Sequence, residues 1–242
     1  MKKAMRDIFY NTRSKYFLIV NNFLAALTLV SVLSIILNTV AALDSYNTIF
    51  ITIEYAATLF FTIEYIGRII ANQKKPLTYI FSFFGIIDLL SIVPSYMGLF
   101  NLTYLKSARM FRILRFLRTL RLIKLTKKGN IKSGTLLEEE DLLHGYKLRI
   151  YIFSLLTSVV IAGSLIFIAE WPREQFANIP LSMIWSAKVI LGGVPQIVPE
   201  TLFGELVTIM TRFTGLLLFG LLINVVGSGL QKLLFGDTKS KK

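Results

Sequence analysis

Residues 109–124 read RMFRILRFLRTLRLIK. A basic residue stands at every third position: Arg109, Arg112, Arg115, Arg118, Arg121 and Lys124. Every residue between them is apolar except Thr119. A charge at the centre of a bilayer costs at least about 2.5–3.5 kcal/mol per residue on insertion scales. A membrane helix that keeps such a row therefore needs compensating groups. Each charge moved through 100 mV changes the energy by ~2.3 kcal/mol, so the row can couple conformation to membrane potential. The competing reading is a basic amphipathic helix lying on an anionic membrane or bound to a partner. Such helices gather their charges on one face at i, i+3, i+4 and i+7. A strict spacing of three instead winds slowly around an α-helix. That spacing, and the three apolar stretches before it, favour voltage sensing.

The rest of the chain fits a membrane setting. It has 242 residues, 54% of them hydrophobic, and a mean hydropathy of +0.63. That is too apolar for a soluble protein of this size. The net charge of +13 would suit nucleic acid, but much of it lies inside or beside apolar spans, so no nucleic-acid partner is expected. There is no cysteine, which excludes disulfides and thiolate metal sites. The single histidine, His144, sits in a polar linker and reads as a solvated side chain. No nucleophile–base pair, phosphate loop or metal cluster is present, so neither enzymatic activity nor a cofactor is expected. The N-terminus carries Lys2, Lys3, Arg6, Arg13 and Lys15. The apolar stretch after it is too long for a signal-peptide core and lacks a small-residue cleavage site, so it reads as a true span.

A helix of about 20 apolar residues crosses a bilayer. Six stretches qualify: 17–40, 49–70, 80–99, 104–125, 146–169 and 202–234. Residues 179–191 are too short to cross. With Pro180 suited to a first helical turn, they read as a re-entrant half-helix. Non-helical backbone at membrane depth is tolerated only where it is buried in protein or lines water, which makes residues 191–197 candidates to line a pore. The expected organisation is a four-helix sensor over 1–125, a cytoplasmic linker over 126–145, a pore domain over 146–236 and a basic tail over 237–242. In the linker, Gly129, Asn130 and Gly134 read as breakers. Thr135 and Glu138 read as a possible capping box, and Glu138–Asp141 as a solvated acidic run or a docking site for cytosolic lysines. The basic N-terminus, Lys74 and Lys75, Lys127, Lys128 and Lys132, and Lys239, Lys241 and Lys242 place both termini in the cytoplasm. The opposite loops carry only Lys106 and Arg173.

The basic row needs acids at membrane depth, and the chain supplies Glu54, Glu64 and Asp88. Phe61 lies one helical turn before Glu64, where a ring can plug water while cations pass from one carboxylate to the next. Arg68 reads as structural, snorkelling to the inner interface or pairing with Asp88. These residues resemble the voltage-gated ion channel superfamily, most closely its six-span voltage-gated potassium channels. In EYAATLFFTIEYIGR, the family's outer acid, plug, inner acid and arginine fall on Glu54, Phe61, Glu64 and Arg68. In IIDLLSIVP, its aspartate and proline fall on Asp88 and Pro94. The row from Arg109 to Lys124 matches its gating-charge signature. Ala169-Glu170 resembles its usual end of the fifth span, Ile179-Pro180 the opening of its pore helix, and 197–201 the segment after its filter. Gly215 falls on its hinge glycine. The resemblance covers nearly the whole chain. It implies an all-α membrane protein of six transmembrane helices plus a re-entrant pore helix, assembled as a homotetramer around a permeant inorganic ion.

The filter departs from the family. Potassium channels use T-V-G-Y-G, whose carbonyls replace the hydration shell of the ion. This chain has Leu191, Gly192, Gly193, Val194, Pro195 and Gln196, with neither the threonine nor the tyrosine, and no acid. Two basic residues stand nearby: Lys188 one turn before the filter, and Arg212 one turn before Gly215. Rings of Arg or Lys select anions. The structural alternative stacks Lys188 on Trp185 and pairs Arg212 with Glu205, Glu200 or Glu174. Asn224 is the strongly polar residue of its half of the last span, expected to face the cavity or a neighbouring helix. The expectation is a voltage-gated channel of a plasma membrane, prokaryotic in style, permeable to anions such as chloride. A potassium or weakly selective cation channel is the first alternative, and a non-conducting voltage-sensing subunit the second.

Overall fold

The computed structural model describes residues 14–72, 76–99, 115–123, 140–194 and 197–235. Arg109, Arg112, Lys124, Pro195 and Gln196 lie outside the described residues. So do Lys2, Lys3, Arg6 and Arg13 of the N-terminal basic cluster, Lys74 and Lys75, Lys106, the linker through Glu139 and the C-terminal tail. The described residues are helical, with no strand among them. The chain divides into two units: Met1–Leu125 with Asn178–Pro180, and Thr126–Ala177 with Leu181–Lys242.

In the first unit, α1 (Lys15–Asn38) passes through a 3₁₀ turn (Ala41–Tyr46) into α2 (Asn47–Ala71). The buried residues of α2 are Glu54, Ala57, Thr58, Phe61, Glu64 and Gly67, spaced three and four apart, so both acids and the ring share one helix face. Leu24, Ala57, Phe61 and Ile92 form the apolar core of this unit. The third apolar stretch, expected over 80–99, is α4 (Phe83–Leu99), preceded by a short helix α3 (Pro76–Ile80) that ends where the stretch was expected to begin. Ser82 separates the two. Its Oγ accepts from the Gly85 amide at 3.1 Å, an N-cap that starts α4, and donates to the Tyr79 carbonyl at 2.6 Å. A Cβ on Gly85 would collide with that carbonyl, so the turn requires glycine.

Arg115–Arg121 is a 3₁₀ helix, where an α-helix was expected. In a 3₁₀ helix residues i and i+3 eclipse. A basic residue at every third position then gives a straight file rather than a winding stripe.

In the second unit, α5 (Glu140–Glu170) starts at Glu140 rather than at the expected Tyr146, so His144 stands on a helix. Helix α6 (Ile179–Ile190) and α7 (Leu202–Phe235) follow. Two apolar clusters hold these helices: Ile166, Phe176, Trp185, Val189 and Val207, and Tyr151, Ile190, Leu218 and Val225.

Four helical stretches are long and apolar enough to cross a membrane: Lys15–Asn38, Ala41–Ala71, Lys147–Glu170 and Leu202–Gly227. Phe83–Tyr96 and Ile179–Ile190 are shorter apolar helices.

Candidate functional site

The first unit holds two arginines of the row on a ladder of acids and hydroxyls. Arg118 is fully buried and Arg121 is 2% exposed. The Arg121 guanidinium lies 3.2 Å from Glu64 Oε2 and 3.2 Å from Asp88 Oδ1, and its Nε donates to Ser91 Oγ at 2.7 Å. Its Cζ sits 3.6 Å from the centre of the Phe61 ring, close enough for a cation–π contact in a desolvated site. Arg118 stands higher on the same ladder. Its Nη2 donates to Thr58 Oγ1 at 2.9 Å and Ser95 Oγ at 2.5 Å, with Glu54 Oε1 at 4.0 Å. Glu54, Phe61, Glu64 and Asp88 are thus brought together with Arg118 and Arg121. Arg68 pairs with Glu64 Oε1 at 2.6 Å.

Four members of this site escaped the sequence reading. Thr58, Ser91 and Ser95 carried a signal: Thr58 is i+4 to Glu54, and Ser91 and Ser95 are i+3 and i+7 to Asp88, the same helix faces as the acids. Tyr79 carried none. Its hydroxyl donates to Asp88 Oδ2 at 2.6 Å, leaving Oδ1 to Arg121.

In the second unit, Gly192 and Gly193 terminate α6. Gly193 N–H donates to the Lys188 carbonyl at 2.8 Å and Gly192 N–H to the Val189 carbonyl at 3.2 Å, the paired bonds of a Schellman cap. Gly192 takes the left-handed φ of +83° that the cap needs. Leu191 and Val194 project outward, 71% and 87% exposed.

Leu191, Gly192, Gly193 and Val194 line a cavity of about 570 Å³ together with Arg212 and Gly215. Lys188 and Asn224 are exposed and do not line it. Among the described residues, neither Lys188 nor Arg212 has an acidic partner, and Glu200 is engaged by Arg173 at 2.9 Å. Gly215 is buried, and a Cβ there would meet the Ile190 carbonyl. Close approach of α7 to the end of α6 therefore requires glycine at a position where α7 runs unbroken.

The end of α5 is fastened to the start of α7 by Glu170. Its Oε2 accepts from Glu200 N–H at 3.0 Å and Arg173 Nη1 at 2.7 Å. Its Oε1 accepts from Thr201 N–H at 3.0 Å and Thr201 Oγ1 at 2.7 Å. Thr201 Oγ1 in turn accepts from Gly204 N–H at 2.9 Å, capping α7. Trp185 Nε1 donates to the Ile197 carbonyl at 2.9 Å.

Among known proteins, a family model described as Ion transport protein matches residues 17–234. No curated protein matches the chain.

Proposed function

From the premise that the chain belongs to the ion transport protein family, and so is a membrane-embedded ion channel, we propose a voltage-gated homotetramer whose pore passes small inorganic anions such as chloride. One observation carries the voltage-sensing part. Two guanidinium groups of a regular basic row are buried among carboxylates and hydroxyls on apolar helices. Buried charge of this kind is expensive unless it is paired, and in a membrane it marks a working element. The 3₁₀ geometry suits translation, since each successive arginine arrives at the same face after one three-residue step. Basic loops on one side support a plasma-membrane protein with both termini in the cytoplasm, of prokaryotic style.

The acids and the ring divide the work. Glu64 and Asp88 hold one arginine, Phe61 covers it, and Tyr79 fixes which oxygen of Asp88 faces it. Glu64→Gln and Asp88→Asn should each shift the voltage midpoint of conductance. Their effects should be non-additive, because both acids touch Arg121. Strictly additive shifts would argue for separate places of action.

Anion permeation is supported by Arg212, which lines one cavity with Leu191–Val194 and has no acidic partner among the described residues. A full charge outweighs the roughly half charge of a helix C-terminus. The glycine cap further satisfies two of the terminal carbonyls of α6. Lys188, exposed on α6, adds to the positive field.

The test is the reversal potential of purified protein in bilayers under separate KCl and potassium gluconate gradients. The expected potential follows chloride. Lys188→Met and Arg212→Met should each lower the chloride-to-potassium permeability ratio. A potential that tracks potassium and ignores chloride would replace this reading with a cation pore lined by the carbonyls of Gly192, Gly193 and Val194.

A further inference from the structure

Arg118 is not held by the Glu64–Asp88 pair. It donates to neutral oxygens, Thr58 Oγ1 at 2.9 Å, Ser95 Oγ at 2.5 Å and the Ser91 carbonyl at 3.4 Å, with the Glu54 carboxylate behind them at 4.0 Å. The protons of all three hydroxyls are committed elsewhere. Thr58 donates to the Glu54 carbonyl at 2.8 Å, Ser95 to Glu54 Oε1 at 3.1 Å and Ser91 to the Asp88 carbonyl at 2.6 Å. A hydroxyl whose proton is spent presents only lone pairs to a neighbour. Thr58 and Ser95 are therefore preset as acceptors for Arg118. Ser91 accepts from Arg121 through Oγ and from Arg118 through its carbonyl, so it touches both cations.

The spacing of the acids gives this cluster a purpose. Glu54 and Glu64 are ten positions apart on α2, or about 15 Å at the rise of an α-helix. One three-residue repeat of a 3₁₀ helix advances only about 6 Å. With Arg121 on Glu64, Arg118, one repeat away, comes only to 4.0 Å from Glu54 Oε1, short of a hydrogen bond. Thr58, one turn from Glu54, lies about 6 Å along that path.

We propose that Thr58, Ser91 and Ser95 form a guanidinium-binding site of neutral oxygens with Glu54 at its edge, a resting position for one arginine of the row at a time on the way between Glu54 and the Glu64–Asp88 pair. This rests on the voltage-sensing reading above. A planar fork of donors spans three acceptors, which a single ammonium point charge does less well. The site therefore suits the arginines of the row better than the lysine that ends it. The neutrality of these oxygens is useful, because another carboxylate in their place would hold an arginine and stall the row.

The test is the charge displaced by voltage steps in the full-length channel with permeant ions replaced by large impermeant ones. Thr58→Val removes one hydrogen bond to Arg118, and Ser95→Ala removes one to Arg118 and one to the Glu54 carboxylate. Each should lower occupancy of the resting position by roughly tenfold. Charge then crosses in fewer, larger steps: the charge–voltage curve steepens while the total charge stays the same. Ser95→Thr, which keeps the hydroxyl, should restore the wild-type slope. Thr62→Val, whose hydroxyl bonds Thr58 O and Tyr96 instead, should leave it unchanged. A wild-type slope in both Ser95→Ala and Thr58→Val, or equal steepening in Thr62→Val, would overturn the proposal. A wild-type channel that displaces no charge would overturn the voltage-sensing reading and this site with it.

Discussion

Neutralising Arg118 and Arg121 together, as Arg118→Gln and Arg121→Gln, should reduce the slope of the conductance–voltage curve by roughly half or more. If ~3–4 charges per subunit cross the field, a tetramer couples ~12–16 of them. The double substitution removes two per subunit, eight in all, or about 18 kcal/mol of coupling per 100 mV. Glutamine keeps hydrogen-bonding capacity toward Thr58, Ser91 and Ser95, so the buried oxygens are not left bare. The substituted protein should elute from size exclusion as wild type does, which separates lost charge from lost fold. An unchanged slope in a folded protein would remove the arginine row from the sensing mechanism.

The second large effect is structural. Glu170→Gln should lower the thermal unfolding midpoint of the detergent-solubilised protein by on the order of 10 °C, from a loss of about 3–5 kcal/mol. Glu170 is 1% exposed, and both of its oxygens receive only donors. A glutamine must turn its NH₂ toward one of those two pairs, so a donor would face donors. The carboxylate also joins the end of α5 to the capped start of α7, so the loss is felt at both helices. Arg173→Ala, which leaves both backbone amides and the Thr201 hydroxyl in place, should cost clearly less. Equal midpoints for wild type and Glu170→Gln would contradict this role of Glu170.

Much of the helical layout could be read from the sequence because apolar length is a strong signal. The stretches 17–40, 49–70 and 202–234 correspond to α1, α2 and α7 within a few residues. Where the layout differed, Ser82 separates the short helix α3 from α4 at the start of the third stretch, and α5 begins at Glu140, six residues before the expected Tyr146. The carboxylates stood out in the sequence because charge in an apolar span is conspicuous. The hydroxyls beside them did not, because Ser and Thr are common in membrane helices and often bond their own backbone, as Thr52 does to Thr48. Their role follows from which neighbour takes each proton, and that depends on α2 and α4 facing each other across the arginines. Tyr79 was hidden for a different reason. It belongs to α3, and only the turn at Ser82 brings its hydroxyl to Asp88.

The central claim is that this chain converts membrane potential into pore opening. Its most direct test is the charge coupled to opening, taken from the limiting slope of open probability against voltage for purified wild-type channels in planar bilayers. The account predicts ~12–16 elementary charges per channel. A conductance that does not change with voltage, with a limiting slope near zero, would contradict it.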